Sequence, residues 1–480
     1  MKLLRAFTAT CVFLLAGLGV VHAQSWTPVS SSPFFSGAAG TPILLTDGRV
    51  AVQESNTRMW FTLTPDINGS YQNGAWASLR SMPAGYAPLY FASAVLPDGR
   101  LAVLGGEYNK GVEDWTTLGA IYSLTTKTWQ SLPAPSGWTR VGDAQSVVLA
   151  DGTWMVADCC TTQEALLDAQ TLTWTATGNG KADINDEEAW TLLPSGQVLT
   201  VDTNSGNTNS EIYDPNTGSW SSAGSTIAQL VDAKSHEIGP AVLRPDGTVL
   251  QTGATGQNAI YDSVTGIWSA APNFPLNGAG HQLDIADGPA ALLPNGNVLC
   301  MTSPGIYAPS AQFFEWDGTS FIPEPGTPNA PKDSSYYGRM LVLPTGQILL
   351  TDGSKDVELY NSLGSPDPAW APTITSVPTT LTHGTTATLS GTQLNGLSQG
   401  AAYGDDAQSA TNYPLIRIIN NATGHVFYAR THNFSSMGVA TGSAIVSTAF
   451  DVPAKLEKGA SQLEVVTNGI ASNPVSVTIK

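Results

Sequence analysis

The sequence predicts an all-β protein, a seven-bladed β-propeller followed by a smaller β-sandwich. Two repeated phrases and the composition predict it. The first phrase is two or three apolar residues, a turn ending in Gly and another apolar strand, and it recurs seven times in 480 residues. The second is an aromatic strand, a polar turn and a Trp, and it follows most copies of the first. The composition is rich in turns and poor in charge, with 48 Gly and only 12% charged residues, about half the usual share of roughly 25%.

The first element is a targeting segment. Lys2 and Arg5 precede an apolar stretch from Ala6 to Val21, and Val21-His22-Ala23 forms a small-residue exit. This is the pattern of a secretory signal peptide over residues 1–23, cleaved after Ala23. No later apolar run approaches the ~20 residues of a membrane span. The net charge of −18 argues against nucleic acid, whose phosphates need a basic footprint. The chain is therefore expected to be secreted or periplasmic, monomeric and without a membrane span.

Seven hairpins follow, from ILLTDGRVAV to LVLPTGQILLTDG. Their turn glycines are Gly48, Gly99, Gly152, Gly196, Gly247, Gly296 and Gly346, with separations of 51, 53, 44, 51, 49 and 50 residues. D-G and N-G supply the positive φ that a tight turn needs. The trailing tryptophans are Trp129, Trp174, Trp220 and Trp268, and the default for them is core packing. Each unit reads as four antiparallel strands. Seven such units at a period near 50 residues match a propeller over 24–371, because one sheet cannot bury both faces alone and radially packed sheets can. Ser25–Val29 resembles the Trp-bearing outer strand but precedes the first hairpin. It is expected to complete the last blade, with the strand around Trp370 as the alternative. From Pro372 the text alternates apolar and polar residues, as half-buried strands do. Residues 372–480 suit an immunoglobulin-like sandwich.

Beyond the leader the chain holds Cys159, Cys160 and Cys300. The adjacent pair admits a vicinal disulfide or two small buried thiols, and the thiols are the favoured reading.

The period and the aromatic–Trp pairs resemble kelch repeats, although only the second copy has a double glycine, Gly105-Gly106. A kelch-type propeller followed by an early-set immunoglobulin-like domain resembles the galactose oxidase/glyoxal oxidase superfamily, and AAYGDDAQSATNYPLIRI resembles that family's C-terminal domain. The resemblance implies a mononuclear copper site with a Cys–Tyr radical cofactor. It implies ligands nine residues before each turn glycine, where this chain has Ala39, Tyr90, Asp143, Glu187, Glu237 (one residue further back), Asp287 and Tyr337. The family's Cys corresponds to Tyr90, its cross-linked Tyr to Asp143, its Tyr-His pair to Tyr336-Tyr337 and its last His to Gln408. Only Tyr336 is kept. Copper(II) favours imidazole nitrogen, so copper and radical oxidase activity are not expected.

Four successive units instead offer Asp143, Glu187, Glu237 and Asp287 at one equivalent position, with Asp186, Glu188, His236 and Tyr336 as neighbours. Innermost strands converge on a propeller axis, so equivalent positions form a ring. Carboxylates held that close repel unless a cation, ligand or proton sits among them. Three uses remain open beside ordinary acidic surface: a cation such as Ca²⁺, acid–base work on a sugar, or hydrogen bonding to sugar hydroxyls. Tyr86, Tyr90, Tyr336 and Tyr337 lie near the same rim. His236 and His281 could reach the same rim, but packing or surface roles are the favoured reading for the histidines, His425 and His432 included. The leading reading is a glycan or other extracellular ligand bound at an acidic axial rim. A divergent oxidase, a carboxylate-based hydrolase or lyase, and an adhesion scaffold remain alternatives.

Overall fold

The computed structural model describes residues 24–30, 35–206, 208–404 and 409–480. The expected leader at 1–23 and Gln408 lie outside the described residues. The protein is all-β: its helical elements among the described residues are two short 3₁₀ turns, Ser335–Tyr337 and Pro368–Trp370. Among the described residues, no helix is long and apolar enough to cross a membrane.

The seven sequence repeats build seven antiparallel sheets, each of four strands except the sixth, which has five, and the seventh takes its fourth strand from the N-terminus. The innermost strands, in chain order, are Ala39–Leu44, Ala92–Val95, Ser146–Val148, Thr191–Leu192, Ala241–Leu243, Pro289–Leu292 and Arg339–Val342. The inner hairpin is built the same way in every sheet. The turn glycine sits at φ between 80° and 90°, and its N–H returns to the carbonyl three residues earlier, as Gly48 does to Leu45 at 3.0 Å and Gly196 to Leu193 at 2.9 Å. A side chain with a Cβ is strained at that φ. The turn Asp then accepts from the amide two residues on, as Asp98 does from Arg100 at 3.0 Å.

The tryptophans staple each sheet to the one before it. The indole N–H of Trp129 donates to the Arg80 carbonyl at 2.8 Å, and that of Trp174 to the Pro133 carbonyl at 2.8 Å. Trp220 donates to the Glu164 carboxylate at 2.8 Å and Trp268 to the Ser210 hydroxyl at 2.8 Å. Their rings pack on the aromatic of the neighbouring strand, Tyr213 against Trp220 at 5.4 Å and Tyr261 against Trp268 at 5.0 Å. One indole thus buries apolar area and finds an acceptor for its only donor.

The ring of sheets closes through the N-terminus. Ser25–Pro28 pairs antiparallel with 358–361 as the outermost strand of the seventh sheet. Trp26 takes the stapling role there, donating to the Pro325 carbonyl at 2.7 Å and packing on Phe313 and Tyr360. Trp370, the alternative donor, lies in a 3₁₀ turn. The innermost strands of the first and seventh sheets are in contact.

From Thr373 the strands form a separate path around their own apolar cluster, which includes Leu389, Ile416, Phe450, Leu463 and Val477. Val426–His432 pairs on one side with Leu415–Asn420 and on the other with Val446–Asp451. This segment docks on the turn end of the sheets: Thr431 N–H donates to the Thr46 carbonyl at 3.1 Å, and Met437 N–H to the Ala150 carbonyl at 3.0 Å. It also sends Ala401–Tyr403 along the inside of the sixth sheet as a fifth strand, with Tyr403 opposite Pro289.

Cys159 and Cys160 correct the sequence reading, because they form a vicinal disulfide where buried thiols were favoured. The reason is a tight turn after Trp154–Ala157, in which Thr161 N–H bonds the Asp158 carbonyl and Cys160 N–H bonds the Asp158 side chain. Cys300 is a buried free thiol.

Replacing Trp26 with Ala removes the closing staple. We expect a loss of about 3 kcal/mol in denaturant unfolding. Unchanged stability means that the N-terminal strand contributes nothing to closure.

Candidate functional site

The loops that lead into the innermost strands meet at the end of the ring opposite the docked C-terminal segment. They enclose a cavity of about 520 Å³ lined by Tyr90, Glu107, Tyr108, Asp143, Glu187, Ser235, Glu237, Asp287, Tyr307 and Tyr336. Six sheets contribute to it, the second through the seventh. The cause is the common register: Asp143, Glu187 and Asp287 stand nine residues before their turn glycines and Glu237 ten, which sets them at similar depths in their sheets. Asp143, Glu187, Glu237 and Asp287 therefore share one cavity.

Three of these carboxylates converge closely. One oxygen from each of Glu187, Glu237 and Asp287 lies within 4.8 Å of the other two. Glu237 is only 4% exposed. Their backbones are tied to one another: Asp287 N–H donates to the Ile238 carbonyl at 3.1 Å. Asn204 Nδ2 donates to the Asp186 carbonyl at 3.0 Å and fixes the peptide that leads into Glu187. Tyr90, Glu187, Asp287 and Tyr307 all have left-handed backbone, at φ 51°, 59°, 49° and 57°. For side chains other than glycine this costs of order 1 kcal/mol each, and such residues cluster where a scaffold holds a site.

Tyr307 closes one side. Its hydroxyl donates to Glu237 Oε1, and its ring meets Tyr336 edge-on at 5.1 Å. Burial first, and then the charges of Glu237, Asp287 and Glu187, raise the Tyr307 phenol far above its ordinary range. The phenol therefore stays protonated and acts as a donor to the carboxylates.

A second cavity of about 180 Å³ adjoins the first and shares Tyr90 and Tyr336 with it. Its other walls include Ala39, Gly40, Tyr337, Arg339 and Gly353. Arg339 lies beneath, with its guanidinium 3.3 Å from the Tyr403 ring centroid and 5.4 Å from that of Tyr90. Tyr403 is brought there by the fifth strand of the sixth sheet, and its hydroxyl donates to the Tyr336 carbonyl at 3.0 Å.

The structure separates the sequence-predicted residues. Tyr90, Asp143, Glu187, Glu237, Asp287 and Tyr336 line the acidic cavity, and Tyr337 lines only the second. His236 lines neither, although both its neighbours face the acidic cavity, and its buried Nδ1 has no hydrogen-bond partner among the described residues. Glu188 turns inward to the buried Lys181 at 2.7 Å, because alternate residues of this loop face opposite ways. Tyr86 is buried and donates to the Gly105 carbonyl. His425 and His432 bond Glu457 and Asp451 in the C-terminal segment. Sequence reasoning missed Tyr307, Glu107, Tyr108, Ser235 and Arg339. Tyr307 stands in a loop between two strands of the sixth sheet, outside the repeating offset.

The donors that line the acidic cavity are carboxylate, phenol and hydroxyl oxygens, a hard set suited to a hard cation. Among the described residues, no thiol or imidazole lines it.

No family model matches the chain, and no curated protein does. Solved structures match in fold. A fungal alcohol oxidase of the AA5 family, in complex with copper, superposes with a TM-score of 0.51 at 14% identity, covering 95% of this chain and 100% of that one. The extracellular domain of a putative hybrid two-component system from B. thetaiotaomicron gives a TM-score of 0.50 at 12% identity, covering 95% of this chain and 59% of that one. The chain has a β-propeller fold similar to that of the alcohol oxidase. At these identities the likeness is one of fold alone.

Asp284 supplies a pH prediction beside the cavity. It is 5% exposed, and burial first, then the Asp232 charge, pushes its carboxyl up to about 7 against an opposing bond from the Gly305 N–H. A folded value above the unfolded one adds stability that is present below the unfolded value near 3.8 and is lost as pH rises toward 7. Asp284→Asn keeps an acceptor for Gly305 and cannot ionise. We expect it to raise stability at pH 8 and to flatten the slope between about pH 4 and 7, measured by urea unfolding. An unchanged slope means that Asp284 is not held protonated.

Proposed function

We propose that this chain is a secreted seven-bladed kelch-type propeller with a C-terminal early-set immunoglobulin-like domain. In this reading it uses the acidic axial cavity to hold a hard divalent cation, and through it a glycan or another oxygen-rich extracellular ligand. The observation that carries the reading is the convergence of Glu187, Glu237 and Asp287 oxygens within 4.8 Å, in a cavity also walled by Tyr90, Tyr307 and Tyr336. The carboxylates meet the preference of Ca²⁺ for oxygen ligands, and ligand hydroxyls complete its six to eight positions. The tyrosine faces offer stacking surface for a sugar ring.

The donor set does not fit the copper–radical cofactor of the resembling family. That group needs a Cys sulfur bonded to a Tyr ring and imidazole ligands. The corresponding positions hold Tyr90, Asp143 and Tyr337. The described thiol chemistry lies elsewhere, with Cys300 buried in the strand Val298–Thr302 and Cys159 bonded to Cys160.

Two outcomes follow. Glu187→Gln combined with Glu237→Gln relieves like-charge repulsion and removes cation ligands. The metal-free variant should melt higher than the parent, and its Ca²⁺ affinity at the axis should fall by roughly tenfold or more, as read by calorimetric titration. A variant with unchanged melting and unchanged binding refutes the reading. Copper-loaded protein supplied with primary alcohols or aldehydes should release no peroxide above the buffer level, and intact mass should show no thioether cross-link. Sustained peroxide release overturns the account of the donor set.

A further inference from the structure

We propose that Asp333, Asp352, Asp356 and Glu358 form a second site for a hard divalent cation, Ca²⁺, in the seventh sheet. The cation takes the place that a buried lysine fills in the fourth sheet. The two repeats align residue by residue. Asp183 and Asp333 each stand thirteen residues before their turn glycines, Gly196 and Gly346, and Asp202 and Asp352 each stand six after. Glu211 and Glu358 each stand two residues before a tyrosine on the same rung, since Val198 pairs with Tyr213 and Ile348 with Tyr360. In the fourth sheet Lys181 Nζ enters this frame, 2.5 Å from Glu211 and 2.7 Å from Glu188. In the seventh sheet the position of Lys181 is Pro331 and that of Glu188 is Gly338. The acidic frame is kept and its internal cation is gone.

The remaining carboxylates are deeply placed. Asp352 is 2% exposed, Glu358 3% and Asp333 7%. Glu358 Oε2 and Asp333 Oδ2 are buried with no hydrogen-bond partner among the described residues. Carboxylates buried this close together repel one another unless a cation or a proton offsets them.

Asn329 draws three of the surrounding oxygens towards its amide. Asn329 Nδ2 lies 3.0 Å from Asp352 Oδ2, 3.2 Å from Ser354 Oγ and 3.4 Å from Asp356 Oδ2. Amide nitrogen and oxygen are assigned from such networks and interchange by a flip. With a cation present, Oδ1 turns inward and adds a ligand. Asp352, Ser354, Asp356 and Glu358 alternate along one short stretch, and Asn329 and Asp333 close the far side. This many oxygens on adaptable loops suit Ca²⁺ better than the compact octahedron of Mg²⁺.

The site lies at the seam of the ring. Ala39 N–H donates to the Ser354 carbonyl at 2.6 Å, Val29 N–H to the Val357 carbonyl at 2.9 Å, and Thr351 Oγ1 to the Gly40 carbonyl at 2.9 Å. A cation here fastens the seventh sheet to the first.

The test is calorimetric titration of chelator-stripped protein with CaCl₂, in a background carrying Glu187→Gln, Glu237→Gln and Asp287→Asn, so that the axial cavity has lost all three converging carboxylates. One Ca²⁺ binding event should persist and should raise the melting temperature. Adding Asp356→Asn, an exposed position whose loss leaves the fold intact, should weaken that event by roughly tenfold or more. Asp352→Asn with Glu358→Gln should abolish it, and if that variant does not fold, Asp356→Asn alone decides. Absence of any Ca²⁺ event in the axial background, or an event unmoved by Asp356→Asn, overturns the proposal. Failure of the axial reading leaves this result unaffected, because the two sites are scored in separate variants.

Discussion

The inner hairpin closed by glycine is the constraint on which the rest depends. In all seven sheets the turn glycine has the same positive φ and returns its N–H to the same relative carbonyl. That turn sets the register of the two innermost strands. The register sets how far from the docked end each preceding loop emerges, and so which side chain reaches the axis. A one-residue slip would exchange the axial residue for its neighbour. The contrast between Glu187, in the cavity, and Glu188, paired with buried Lys181, shows that consequence within a single loop.

Closure supplies the rigidity that the rim requires. Left-handed backbone at four lining residues and three crowded carboxylates are unfavourable in isolation, and they persist only where the surroundings over-determine them. The surroundings here are the tryptophan staples between successive sheets, the N-terminal strand across the seam and the strand Ala401–Tyr403 laid along the axis. The C-terminal segment thus positions Tyr403 under Arg339 and brings the chain to Asp287, where a Cβ on Gly404 would meet the Asp287 carboxylate.

Much of this was legible in the sequence because it repeats. A fixed spacing of turn glycines gives the sheets, the Trp positions give the outer strands, and the offset from the turn gives Asp143, Glu187, Glu237 and Asp287 as one set. What was not legible falls outside the repeat. Tyr307 comes from a loop peculiar to the sixth sheet, and Arg339 follows the expected rim position and packs beneath it. His236 carries a rim-like address but turns away at φ 67°. The Cys159–Cys160 bond depends on a local turn that adjacency alone does not predict. The missing lysine of the seventh sheet is visible only once the fourth sheet shows what Lys181 does.

The central claim is that the axial carboxylates share a cation. Its most direct measurement is a crystal structure grown with Ca²⁺, with anomalous data to locate the ion. The account predicts an anomalous peak bonded to Glu187, Glu237 and Asp287 oxygens at about 2.3–2.6 Å. An axis without such a peak, with the three side chains splayed into solvent, contradicts it.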